Sequence, residues 1–126
     1  ALARALLDAG FLVTNVFPVR SEGKSGFHST TGTIKWDSVL ICRPKEEVSS
    51  REPGSNRGFL RSVKANHSRW KRRLQEANLI FGWVDSLSLG YALAVQQAIA
   101  RAGSPDDVTL LLDKAAELLA AEKNSA

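Results

Sequence analysis

Methionine is absent from these 126 residues, and cysteine occurs once, at Cys42. A single cysteine excludes an intramolecular disulfide framework. With only two histidines, His28 and His67, it also excludes a conventional Cys/His zinc site built by this chain alone. Long apolar runs are missing too. Stretches such as Leu110-Leu111-Leu112 fall far short of the roughly 20 residues that a membrane-spanning helix needs. No basic stretch followed by an apolar one and a cleavage site opens the sequence, so no signal peptide is expected. Lacking Met and opening in mid-helix with Ala1-Leu2-Ala3-Arg4, the sequence is expected to be an internal or C-terminal piece of a longer polypeptide.

What is present is a globular composition, 44% apolar and 24% charged. The net charge of +4 is mild, but it is unevenly placed. Residues 57 to 73 carry Arg57, Arg61, Lys64, Arg69, Lys71, Arg72 and Arg73 and no acid, whereas residues 104 to 126 carry five acids against two lysines. Positive charge gathered in one segment is the usual footprint of a surface that faces phosphates.

Residues 1 to 9 read as a short helix, with Leu2, Leu6 and Leu7 on one face and Gly10 where a left-handed C-cap belongs. Residues 11 to 17 are β-branched and aromatic, which predicts a strand, and Pro18 is expected to keep it from being a central strand beyond that point. A Gly/Ser/Thr-rich loop follows over 21 to 37. Residues 38 to 43 form a second strand, whose near-continuous apolar run predicts burial on both faces. Residues 45 to 57 are charged and hold Pro53, Gly54, Ser55 and Asn56, the marks of a boundary. Beyond them the period becomes helical. Phe59, Val63, Trp70, Leu74 and Ala77 approximate one stripe, a second helix is expected over about 88 to 102 after a turn at Asp85, and Ser104-Pro105-Asp106-Asp107 opens a third.

Few residues invite a chemical reading. Gly23-Lys24-Ser25 resembles the end of a phosphate loop, but the earlier glycine that the pattern needs is replaced by Pro18, and no helix signal follows. Cys42, in an apolar strand, reads as a small hydrophobe. His28 and His67 read as polar surface residues, and no pair of carboxylates stands out as an acid/base set. No catalytic, cofactor-binding or metal-ligating residue is therefore assigned. The basic helix is the informative feature. Arg61, Lys64, Arg69, Lys71, Arg72 and Arg73 are the candidates for DNA-phosphate contact, with Trp70 assigned to the apolar stripe. A solvated helix face that merely keeps the protein soluble is the competing reading.

Several segments resemble a known family. "ALLDAGF" running into a strand, then "FPVRSE", a Ser/Gly-rich loop and "SVLICRPK" are similar to the end of the methyltransferase domain in a family of large adenine-specific DNA methylases. Many members of that family carry a zinc ribbon, besides an N-terminal domain of unknown function. The positions concerned are Gly10-Phe11, Phe17-Pro18-Val19-Arg20-Ser21-Glu22 and Cys42-Arg43-Pro44, and the tail "RLQEANLIFGWVDSLSLGYALAVQQAIARAGSP" also looks similar. The resemblance implies an α/β fragment of a Rossmann-like methyltransferase, a helix plus the last antiparallel strand pair, followed by a three-helix tail. Residues 1–46 would end the methyltransferase-like domain, 47–57 would be a linker, and 58–126 the helical tail with a basic first helix.

The resemblance also implies what is elsewhere. The glycine-rich loop for S-adenosylmethionine and the Asp/Asn-Pro-Pro-Tyr motif for the target adenine would lie upstream. This chain has no Pro-Pro, and its one tyrosine is Tyr91. Where the family commonly has a Gly-Ser-Asn-Ala-Leu-like stretch, this chain has "SEGKSGFHSTTGTIKW". The implied function is the C-terminal part of a cytoplasmic S-adenosylmethionine-dependent DNA adenine methyltransferase, not catalytic alone, with DNA and the upstream polypeptide as partners and no membrane. The methyl group would pass to an adenine flipped out of its stack. A free-standing basic nucleic-acid-binding or interaction module is the alternative, and a purely structural subdomain is a third.

Overall fold

A computed structural model describes residues 2–20, 36–47, 58–79, 81–101 and 104–124. Among them the chain forms helix α1 (Leu2–Asp8), strands β1 (Phe11–Arg20) and β2 (Trp36–Pro44), and a 3-10 turn (Lys45–Glu47). Helices α2 (Phe59–Glu76), α3 (Trp83–Arg101) and α4 (Pro105–Asn124) complete it. The fold is mixed α and β and mostly helical, with a two-stranded antiparallel sheet. The Gly23-Lys24-Ser25 tripeptide, His28, most of the 21–37 loop and most of the 47–57 linker lie outside the described residues.

Gly10 ends α1 in the left-handed region, at φ 82°, as its position predicts. Its carbonyl then accepts the backbone N–H of Lys45 at 2.8 Å, which ties the end of β2 to the start of β1. The two apolar runs pair as expected, from Phe11 opposite Pro44 to Arg20 opposite Trp36. Both strands are longer than their apolar content predicts. β1 runs on through Pro18 as an edge strand, since Pro18 stands opposite Ser38 at a position where no ladder N–H is needed. Such a pair directs the N–H and C=O of both residues away from the partner strand. Two residues on, Trp36 keeps the same phase, and its outward N–H goes to Asp85 Oδ1 at 3.1 Å.

Thr14 is the extra residue of a bulge on β1. Its hydroxyl donates to the carbonyl of Ile41 at 3.2 Å, and its own carbonyl accepts from the Gln96 amide at 3.3 Å. The bulge thus keeps its polar groups partnered while the register shifts. The expectation that the second strand is buried on both faces is corrected: residues 38 to 42 are all half-buried. Leu40 and Cys42 pack on the core, whereas Val39 and Ile41 point to the opposite face of the sheet.

α3 lies at the centre. It begins at Trp83, five residues before the expected start, because Asp85 supplies a carboxylate in the first turn, where the helix dipole favours one. Leu89, Leu93, Val95 and Ile99 of α3 share one apolar cluster with Phe59 and Val63 of α2 and with Val108, Leu111 and Ala115 of α4. Ala3 of α1 and Leu12, Val13 and Val16 of β1 belong to the same cluster, so residues on both sides of the 47–57 segment build it. Gly90 permits the close approach of two neighbours. A Cβ there would stand 2.6 Å from Leu119 Cδ2 and 3.2 Å from His67 Cε1. α4 starts as predicted, with Ser104 Oγ accepting the N–H of Asp107 at 3.3 Å.

The Asp85 contact generates a first prediction. Asp85→Ala should cost about 2 kcal/mol in urea unfolding, since it leaves the Trp36 N–H without its acceptor. Asp85→Asn retains an oxygen acceptor and should lose clearly less. Equal losses in the two variants would show that the hydrogen bond is not what stabilises this corner.

Candidate nucleic-acid interface

α2 follows a left-handed Gly58, at φ 81°, and no side chain caps it. One side of the helix is buried through Phe59, Val63, His67 and Leu74, spaced four, four and seven residues apart, which keeps them on one face. Trp70 falls on the same face and packs against the core, as its assignment to the apolar stripe requires. Ala77 does not belong to that stripe; it is exposed just past the helix end.

The opposite side is cationic. Arg61, Lys64, Arg69, Arg72 and Arg73 are exposed and Lys71 is half-buried, so all six candidates lie on one element and five of them face solvent. Arg61 and Arg72 are eleven residues apart and share a face, about 16 Å along the axis. Two of the cations are oriented by neighbours. Arg69 donates to Asn66 Oδ1 at 3.3 Å, and the Arg73 guanidinium lies 4.5 Å from the centre of the Trp70 ring. Arg73 also sits in the last turn of α2, where a positive charge favours the helix dipole. No acidic side chain interrupts the helix before Glu76.

His67 corrects its reading as a surface residue. It is 2% exposed, on the buried face of α2. Its Nε2 lies 2.8 Å from the backbone carbonyl of Ser86 and 3.0 Å from the Ser86 hydroxyl. A serine hydroxyl beside an imidazole invites a nucleophile-and-base reading. The carbonyl argues against it. A carbonyl oxygen only accepts, so the shorter contact is a hydrogen bond only when Nε2 carries the proton. An Nε2 that already carries a proton cannot take one from Ser86. His67 therefore fastens α2 to the first turns of α3. The missed signal is the spacing: positions 59, 63 and 67 repeat every four residues along the apolar side.

Among the described residues no cluster of three His, Cys, Asp or Glu side chains could hold a metal ion, and no helix is long and apolar enough to cross a membrane. No described strand passes through a glycine-rich turn into a helix, and Tyr91 lies 45% exposed on α3 in a chain without Pro-Pro.

The buried histidine generates a second prediction. His67→Ala should destabilise the chain by roughly 2–4 kcal/mol in chemical unfolding, from the cavity and the missing hydrogen bond together. The cations of α2 face away from it, so affinity for nucleic acid measured well below the unfolding transition should not change. A loss of affinity without a loss of stability would assign His67 to the interface instead.

Compared with protein-family models, curated proteins and solved structures, the chain matches none.

Proposed function

We propose that the outer face of α2 lies against the phosphates of a nucleic-acid duplex, and that the chain does so as the C-terminal segment of an S-adenosylmethionine-dependent adenine-specific DNA methyltransferase. One observation carries the first half. Arg61, Lys64, Arg69, Arg72 and Arg73 are exposed on a single helix whose other side is fixed in the core. A rigid row of cations positions a protein on a duplex without reading its bases. The second half is supported by the sequence motifs, and by a helix that leads into an antiparallel pair in the order the resemblance implies.

A free-standing basic module is the second reading. It is favoured by the apolar cluster, which takes residues from α1, β1, α2, α3 and α4 of this chain. The two readings share the α2 contact where the free-standing module is a nucleic-acid-binding one rather than an interaction module. They differ in whether an upstream domain supplies the cofactor, the target-adenine pocket and the remaining strands.

Duplex binding by this chain should be independent of sequence and weaken steeply with salt. Replacing Arg69, Lys71, Arg72 and Arg73 together by Gln should lower the slope of log affinity against log salt by about one unit for each phosphate no longer neutralised, with sequence preference unchanged. Identical slopes for the parent and the variant would leave α2 as scaffold. By calorimetry, the chain alone should not take up S-adenosylmethionine, because the described residues offer no glycine-rich cradle. Micromolar binding would place a cofactor site within residues 1–126.

A further inference from the structure

The outer edge of β2 is complementary to itself. The phase set by Pro18 and confirmed at Trp36 directs the backbone N–H and C=O groups of Ser38, Leu40 and Cys42 away from β1. Among the described residues nothing outside the sheet hydrogen-bonds to these groups. The other edge of the sheet is protected. On β1, Pro18 offers no donor and the Thr14 carbonyl is taken by Gln96. α3 reaches the outer edge of β2 at Trp36, through Asp85, and among the described residues no hydrogen bond from it reaches Ser38, Leu40 or Cys42.

We propose that β2 pairs with β2 of a second copy of this chain, antiparallel about a two-fold axis at Leu40, so that the two hairpins form one four-stranded sheet. The register follows from the ends of the ladder. With the axis at Leu40, Leu40 meets Leu40 and Ser38 meets Cys42, and every outward group finds a partner. The next outward position sets Trp36, whose N–H is held by Asp85, against Pro44, which has no N–H. Both strands therefore stop pairing at the same point. An axis at Ser38 or Val39 would set Leu40 or Cys42 against the occupied Trp36, and an axis at Ile41 or Cys42 would set Ser38 or Leu40 against Pro44.

The side chains agree with this register. Between the hydrogen-bonded pairs, Val39 stands opposite Ile41 and Asp37 stands opposite Arg43, on the same face of the sheet. Asp37 and Arg43 are both exposed, and in non-hydrogen-bonded pairs facing side chains come closest. Each copy contributes one carboxylate and one guanidinium, so two ion pairs flank two Val–Ile contacts. Such a two-fold interface is isologous, with the same patch used by both copies. The inference stands apart from α2 and holds whether or not that helix contacts DNA.

Sedimentation equilibrium over roughly 1 to 500 μM, the range of small transient interfaces, tests it. The chain should associate reversibly to twice its 13.7 kDa mass. Asp37→Arg or Arg43→Asp alone turns attraction into repulsion at both ends and should weaken the dimer about tenfold. The two together restore opposite charges and should return the affinity to within about threefold of the parent. A second measurement fixes the register covalently. Ser38→Cys, oxidised with diamide, should couple to Cys42 of the second copy, two thiols giving up two electrons and two protons to the oxidant. Within one strand these positions are about 13 Å apart, too far to bridge. A monomer throughout the range would overturn the proposal. So would a double charge variant no tighter than the singles, or covalent dimers joined through any other pair.

Discussion

The carboxylate of Asp85, 4% exposed in the first turn of α3, accepts the N–H of Trp36 at the start of β2. This hydrogen bond decides how the sheet sits on the helices. It places the Trp36 ring edge-on to Phe81, 5.7 Å between centroids, so that the connection into α3 is packed by the same residue whose backbone it holds. Farther along, Gln96 takes the Thr14 carbonyl of β1. The hairpin therefore hangs on α3 at two points about 16 Å apart along the helix axis. With those points fixed, α2 and α4 can pack against the remaining sides of α3, and Gly90 provides the room for both. Removing either polar contact would take from a backbone group of the sheet the α3 side chain that now satisfies it.

The charge of the chain is separated rather than merely positive. α2 presents guanidinium and ammonium groups outward, while α4 presents Asp106, Asp113 and Glu117. A protein with a cationic side and an anionic side turns in the field of a polyanion before it touches it. The modest net charge of +4 therefore understates the attraction that the α2 side would exert, and overstates that of the α4 side. Arg73, held against the Trp70 ring, is less free to reorient than Arg61 or Arg72, so the cationic row is ordered most at the C-terminal end of α2.

Helices and strands were legible wherever one periodicity governed a whole segment. α4 was readable from its Ser-Pro-Asp-Asp opening and its apolar spacing, and the strand pair from two β-branched runs. The cations of α2 were readable because burying six of them on one helix would be prohibitive. Three features escaped. His67 was assigned to the surface because residue type was weighed above spacing, although a histidine can be buried once its Nε2 proton reaches a carbonyl. The start of α3 was set too late because Trp83 and Leu87 are exposed, which blurred the helical stripe in its first turns. β1 was ended at residue 17, three residues early, because only the pairing phase, a property of two strands together, shows which way the Pro18 nitrogen points.

The apolar cluster joins residues far apart in the sequence, with Val16 on β1 and Ile99 on α3 both inside it. A ribosome adding ~5–20 residues per second would need on the order of 4 to 17 seconds to pass from one to the other. For the part of that interval that follows Pro44, the hairpin has been made but has nothing to cover Val13, Val16 and Leu40. Its unpaired β2 edge is then exposed to every other nascent chain nearby. Pro18 on one strand and the Thr14 bulge beside it act in that interval as well as in the finished protein. They leave a single edge open to mispairing rather than two.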